Sequence, residues 1–507
     1  MDTFANLLGG LEIALQPINL LYCFGGAVIG AIVGALPGLG PSAGCAIILP
    51  LTFGMDPIAG IIMLCALYYG TMYGGAITSI LLGIPGDSAS VATTFDGYPM
   101  AKKRGRPGAA LGMSFIASFI GGTICTIAFT FLAPSLAGYA LSFGPPEYFA
   151  LMFLGLTAVS AMTGNDPLKG FISAILGLAC SCVGADLLTG APRFTFGSIY
   201  LMDGVDFVCA AMGLYGIAEL IHNDPKSSEY GDFGVSKKDL SLKKMFPTRD
   251  DWKHSIPCIG VGTLIGFFIG MLPGAGATVA SFISYATNKK ISPRGEKFGT
   301  GVPEGIAAPE SSNNSASIGA MIPMLTLGVP GSGATAVMMG ALMMFGMAPG
   351  PLMFQNQPDF VWSLTASMYI GNFAIFVACM LSAIYMVKIL QIPINTLNAV
   401  VMAFILIGAY SLENNLFNVG LTIFFGLLGY LMKKIEMPSA PFVLSLVLGN
   451  LFETNFRQSM ILSDNSPVIF FTRPISCVIM LIAIAVIFKP LLSGLMSRTR
   501  KKSEALS

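Results

Sequence analysis

The sequence predicts an all-α polytopic membrane protein of about 11–12 transmembrane helices, built as two inverted-topology repeats with broken helices or re-entrant hairpins plus an extra C-terminal helix. Three observations carry this. Of the 507 residues, 54% are hydrophobic and only 10% charged, whereas a soluble domain carries about 25% charged residues. Long uncharged stretches recur, among them 255–287 and 475–488, and a bilayer requires about 20 apolar residues per helix. Two Pro-Gly motifs of the first half also return, in the same order, in the second.

The elements follow in chain order. Residues 1–221 make the first membrane repeat. Its first 16 residues include Asp2 and Glu12 but no basic cluster, so a cleaved signal is not expected and the first helix is retained. Apolar segments then run over 18–36, 43–54, 58–84, 108–132, 147–163, 168–190 and 205–221. Residues 222–254 form a polar connecting loop. The second repeat, 255–455, holds apolar segments at 255–272, 277–287, 305–329, 336–347, 360–387, 395–412, 416–432 and 438–452. Residues 456–507 add a helix over 475–496 and a basic tail. The 60 glycines and 31 prolines exceed what straight packing needs and point to helices that break inside the membrane.

Basic residues orient the chain, because short loops rich in Lys and Arg stay in the cytoplasm. The connecting loop (Lys226, Lys237, Lys238, Lys243, Lys244, Arg249, Lys253), the cluster Lys102, Lys103, Arg104 and Arg106, and the tail Arg498–Lys502 all read as inside. So do Lys388, Lys433 and Lys434. The counterpart of 102–106 in the second half, 346–357, has no basic residue and reads as outside. Corresponding loops therefore face opposite sides, with the N-terminus periplasmic and the C-terminus cytoplasmic. Inverted repeats are characteristic of secondary transporters, whose substrate and ion sites lie at the repeat interface.

The composition of the repeated motifs marks them as the place for chemistry. Gly34, Pro37, Gly38, Gly40 and Ser42 recur 236 residues later as Gly270, Pro273, Gly274, Gly276 and Thr278. Gly83, Pro85, Gly86, Asp87 and Ser88 recur 245 residues later as Gly328, Pro330, Gly331, Ser332 and Gly333. A Pro-Gly pair interrupts a helix and frees backbone N–H and C=O groups, which lipid does not tolerate. Helices that restart there present N–H groups and partial positive charge, suited to an anion. Gly38, Gly40, Ser42, Gly86, Ser88, Gly274, Gly276, Thr278, Gly331 and Ser332 are accordingly the candidate binding residues, with Asn313 and Asn314 from the polar run after Pro309. The alternative is that the Pro-Gly pairs only kink helices for packing, with Ser and Thr as interhelical glue.

Asp87, Ser79 and Glu310 are the candidates for coupling to a sodium ion or proton, since carboxylates at membrane depth are costly and functional. Asp87 equally fits a cap on the turn that follows it. Glu310 equally fits a cap on a helix beginning near 312–314, and Glu304 reads as structural.

Other chemistries find no residues to work with. The two histidines, His222 and His254, flank the connecting loop, so metal or proton-transfer chemistry based on histidine is not expected within the bilayer. The ten cysteines are scattered, no Walker A motif occurs, and the net charge of +1 gives nucleic acid no footing. An intramembrane hydrolase would have Asp87 with Glu310 as its one conceivable acid pair. A passive channel, or a transporter for another small organic solute, remains the alternative to carboxylate transport. No cofactor is expected beyond a coupling sodium ion or proton.

The chain resembles the large membrane subunit, TctA, of the tripartite tricarboxylate transporters. The resemblance rests on the residues 34–42, 69–79, 84–89, 97–102 and 105–108 and, in the second half, 270–278, 303–314 and 325–333. It implies a permease of the bacterial inner membrane that works with a small membrane subunit and a periplasmic solute-binding protein. It implies uptake of citrate or other carboxylates, driven by a sodium or proton gradient.

Overall fold

The computed structural model describes residues 3–36, 39–162, 166–186, 189–222, 239–274, 276–389 and 394–488. The architecture is helical nearly throughout. The first half runs α1 (Thr3–Ala14), α2 (Pro17–Ala35), α3 (Pro41–Ile48), α4 (Pro57–Leu82), α5 (Val91–Lys102), α6 (Pro107–Ala140), α7 (Pro145–Met162) and α8 (Pro167–Ser181). A two-stranded hairpin, β1 (Gly184–Ala185) with β2 (Pro192–Arg193), leads to α9 (Phe207–Ala211), a π-helical turn and α10 (Ala218–His222). The second half continues with α11 (Leu242–Met245), α12 (Arg249–Gly270), α13 (Gly276–Ile291), α14 (Glu304–Gly319), α15 (Met321–Leu327), α16 (Gly333–Met344) and α17 (Met353–Asn356). It ends with α18 (Pro358–Ile389), α19 (Ile394–Ser411), α20 (Leu416–Lys434), α21 (Ala440–Leu462), α22 (Ile469–Thr472) and α23 (Pro474–Phe488).

Local chemistry sets the helix ends. Several helices open on proline, whose missing N–H costs nothing in a first turn: Pro17, Pro41, Pro57, Pro107 and Pro167. Asp56 and Asp166 cap α4 and α8 by accepting the N–H groups of Ile58 and Leu168. Gly83 and Gly328 end α4 and α15 in the left-handed conformation, at φ +72° and +67°.

Among the described residues, six helices are long and apolar enough to cross a membrane: α2, α4, α6, α12, the stretch Pro358–Ala383 of α18, and α20. Shorter apolar helices of 10–17 residues accompany them, including Pro41–Thr52, Phe207–His222 and Gly333–Met344. The chain is an all-α multi-pass membrane protein. Its predicted segment 305–329 divides into α14 and α15, and its extra C-terminal helix is described over Pro474–Phe488. Most of the connecting loop, 223–238, lies outside the described residues. Helix α12 starts at Arg249, before the expected 255, because Thr248 and Asp251 form a capping box.

The internal repeat is visible in the packing. On α2, Gly26, Gly30 and Gly34 press against the backbone of Met63, Leu67 and Thr71 on α4. On α12, Gly262, Gly266 and Gly270 press against Ala308, Ser312 and Ala316 on α14. Each glycine is displaced by 236 residues from its counterpart and each partner by 245. A Cβ at any of the six glycines would run into a partner's backbone, so these helices approach as only small residues permit. Helix α14 forms the centre of the second half, and all 16 of its residues are buried.

The basic cluster 102–106 and the segment preceding α12 lie at the same end of the molecule. Arg106 pairs with Asp251 at 2.5 Å, and the start of α6 packs against α11, with Gly112 against the Met245 carbonyl.

Candidate functional site

Described residues of all four repeated motifs meet at one cavity of about 680 Å³. Gly40 and Ser42 reach it from the start of α3, Gly86, Asp87 and Ser88 from the turn after α4, Gly274, Gly276 and Thr278 from the start of α13, and Ser332 from the start of α16. Gly38 lies outside the described residues.

The turns interlock in the same way in both halves. Gly86 lies on the Gly34 carbonyl and Gly331 on the Gly270 carbonyl, so that a Cβ at either would collide with it. Gly274, at φ +77°, adopts a left-handed conformation that side chains resist, and its N–H donates to the Gly331 carbonyl at 3.1 Å. Gly331, named above as a candidate binding residue, therefore holds the Gly274 turn through its carbonyl and lies outside the described cavity lining.

Asp87 and Ser332 occupy equivalent places. Asp87 Oδ1 accepts the Ser90 N–H at 2.9 Å, and Ser332 Oγ accepts the Thr335 N–H at 3.3 Å. Each closes a capping box with the residue three positions on. Asp87 thus does act as a cap, but with only one of its oxygens. Oδ2 is buried, has no hydrogen-bond partner, and belongs to a residue that lines the cavity. Two side-chain contacts between lining residues join the halves at the cavity: Ser88 Oγ and Thr278 Oγ1 at 2.7 Å, and Tyr68 Oη and Ser332 Oγ at 3.1 Å.

The remaining predicted residues sit behind this layer. Ser79 Oγ lies 2.8 Å from the Gly75 carbonyl and 3.1 Å from the Ser90 carbonyl, and so braces the Asp87 turn. Asn313 and Asn314 do not line the cavity. They lie buried on α14 and bond each other at 2.7 Å, Asn314 also reaching the Glu310 carbonyl. Asn313 Nδ2 has no partner. Glu310 is also absent from the lining and caps no helix, because α14 begins at Glu304 and runs past it. The polar run after Pro309 from which Asn313 and Asn314 were chosen lies on the fully buried helix α14. Glu304 pairs with Arg294 at 2.9 Å, a structural role.

Tyr68, Tyr215 and Glu219 line the cavity and could not have been found from the motifs, since each comes from the middle or end of an unremarkable apolar segment. Glu219 forms an ion pair with Lys433. Among the described residues lining the cavity there is no Lys, Arg or His.

The arrangement offers hydroxyl groups, backbone N–H groups and the starts of α3, α13 and α16. Helix α3 begins without a side-chain cap, since Gly40 supplies none, and its first N–H groups are free for an oxygen-rich ligand. The acids among the described lining residues are Asp87 and Glu219.

No solved structure matches the chain. A protein of Agrobacterium vitis described as an uncharacterized 52.8 kDa protein in the TAR-I ttuC' 3' region is 39% identical over 501 residues, covering 99% of both chains. A second, from the TAR-II ttuC' 3' region of the same organism, is 37% identical over 233 residues, covering 46% of this chain and 96% of its own length. Residues 20–444 match the tripartite tricarboxylate transporter TctA family. With the match extending over most of the chain, and with a multi-pass helical fold around one repeat-built cavity, the protein belongs to the tripartite tricarboxylate transporter TctA family.

Proposed function

We propose that this chain is the permease subunit of a secondary active uptake system for tricarboxylates or related carboxylates, driven by a sodium or proton gradient. The observation that carries this reading is the convergence of described residues from the four repeated motifs, two from each repeat, on one cavity lined by hydroxyls and helix starts. Carboxylate charge would be met by the N–H groups at the starts of α3 and α13 and by Ser42, Ser88, Thr278 and Ser332, in keeping with the absence of a basic side chain. Asp87 would take part in cation coupling through its unpartnered oxygen.

The two halves are read as inverted from their loop charges, with one set of broken helices moving against the rest. The chain sits in the bacterial inner membrane with its C-terminus in the cytoplasm. A small membrane subunit would complete the permease, and a periplasmic binding protein would deliver the substrate.

The test is uptake of labelled citrate and several mono- and dicarboxylates into cells expressing the chain with both partners, with and without an ion gradient and with the binding protein omitted. Accumulation of one acid above its external concentration, dependent on gradient and binding protein, is the expected result. Uptake that never exceeds the external concentration would mark a passive channel instead, and no uptake of any acid by inserted protein would overturn the carboxylate assignment.

A further inference from the structure

Seven acidic residues are buried among the described residues, and six have charge partners or backbone donors. Glu147, Asp186, Asp251 and Glu304 face arginines. Asp96 accepts the N–H groups of Gly299, Gly301 and Val302. Asp87 accepts that of Ser90. Glu310 has neither. It is 0% exposed, and its carboxyl is surrounded by neutral hydroxyls: Thr93 Oγ1 on α5 at 2.5 Å from Oε1, Ser118 Oγ on α6 at 3.2 Å from Oε2, and the buried Ser114 hydroxyl on α6. The titratable groups that act on it electrostatically are Asp87, in the turn before α5, and Tyr73 on α4. Neither is a cation.

Packing does not require this acid. The repeat relates Glu310 to Cys65 and Thr93 to Met338, each 245 residues away. At the equivalent junction between the halves, Cys65 Sγ lies against Met338 Sδ at 3.7 Å. A contact between sulfurs therefore suffices there, where its counterpart has a carboxyl and a hydroxyl. A lone ionised carboxylate at this depth costs several kcal/mol, and it persists where it has a function.

We propose that Glu310, clamped by Thr93 and Ser118, carries the coupling proton, so that uptake by this chain is proton-driven. The proposal rests on the transporter reading above and narrows its ion. A hydroxyl can donate to a carboxylate or accept from a carboxylic acid by rotating, so both protonation states of Glu310 keep hydrogen bonds with the same partners. A sodium ion would enter with its hydration shell through the cavity, and Glu310 lies outside the cavity lining with both carboxyl oxygens already hydrogen-bonded. The step is a bare proton transfer. The carboxylate takes a proton from water on one side and returns it on the other, with nothing oxidised or reduced.

Two measurements on the full chain test this. Infrared difference spectra between acidic and alkaline pH, recorded on the protein in liposomes, should contain a protonated-carboxyl band that Glu310→Gln loses and Thr93→Val displaces. In cells with both partners, Glu310→Gln should lose accumulation of labelled citrate driven by a pH gradient, and Glu310→Asp should restore it with a displaced pH profile. An infrared spectrum unchanged by Glu310→Gln overturns the proposal. So does wild-type accumulation that follows a sodium gradient and ignores a pH gradient. Should the wild type take up no citrate at all, the carboxylate reading fails, while the infrared result still decides whether Glu310 binds the proton.

Discussion

Tyr68 Oη lies 3.1 Å from Ser332 Oγ, joining the middle of α4 to the start of α16 across the repeat interface. The residues that the 245-residue shift sets against this pair are Asn313 and Asp87. There, Asn313 Nδ2 and Asp87 Oδ2 are both buried without a hydrogen-bond partner. One half of the interface is therefore closed by a polar contact while its counterpart holds an unpaired donor and an unpaired acceptor. Buried groups in that condition are costly, and a protein that alternates between two states can carry such a cost in one of them.

Asp87 has two separable roles, a helix cap and a charge facing the cavity. Asparagine caps a helix about as well as aspartate, so Asp87→Asn is expected to keep thermal stability in detergent and to lose gradient-driven uptake. Asp87→Ala should lose both, with about 1 kcal/mol of stability gone. Full transport by Asp87→Asn would reduce the residue to its capping role.

Close approach of α12 to α14 depends on Gly270, where a Cβ would strike the Ala316 carbonyl. Gly270→Ala is expected to destabilise the protein by roughly 1–3 kcal/mol, the cost of overpacking. Gly260, on the same helix, is open to its surroundings with nothing nearby. Gly260→Ala should be neutral or slightly stabilising, because alanine favours the helix. Thermal unfolding of the two variants side by side checks the contrast.

Glu219 lines the cavity and is neutralised by Lys433. Lys433→Met is expected to raise the KM for an anionic substrate several-fold by leaving a negative charge at the cavity wall. Glu219→Gln in the same chain should reverse most of that rise. Equal KM values in the single and double variants would show that the pair is structural only.

Asp96 holds the loop between α13 and α14 through three backbone N–H groups at 2.7–2.9 Å and the Tyr285 hydroxyl at 2.8 Å. Asp96→Ala strands these donors in the interior, where each costs about 1–3 kcal/mol. The expected outcome is a large loss of thermal stability, together with faster hydrogen exchange confined to residues 298–302. Unchanged exchange there would show that the loop is held by other contacts.

The class of the protein was legible in its sequence because membrane burial imposes a global demand on composition. A chain with 54% hydrophobic and 10% charged residues has no other solvent in which to fold. The repeat was equally legible, since Pro-Gly pairs and glycine spacings record backbone geometry directly: Gly34 and Gly270 are glycines because a carbonyl lies where a Cβ would be. Which residues share a surface was a different matter. Asn313 looked like a binding residue and Glu310 like a coupling residue beside it, and the fold set both behind the cavity on α14, while Tyr68, Tyr215 and Glu219 came to the cavity from outside the repeated motifs. Backbone conformation is a local property that a few residues can dictate. Juxtaposition of residues hundreds of positions apart depends on how whole helices pack, and only the tertiary structure decided that Asp87 faces the cavity and Glu310 faces Thr93 and Ser118.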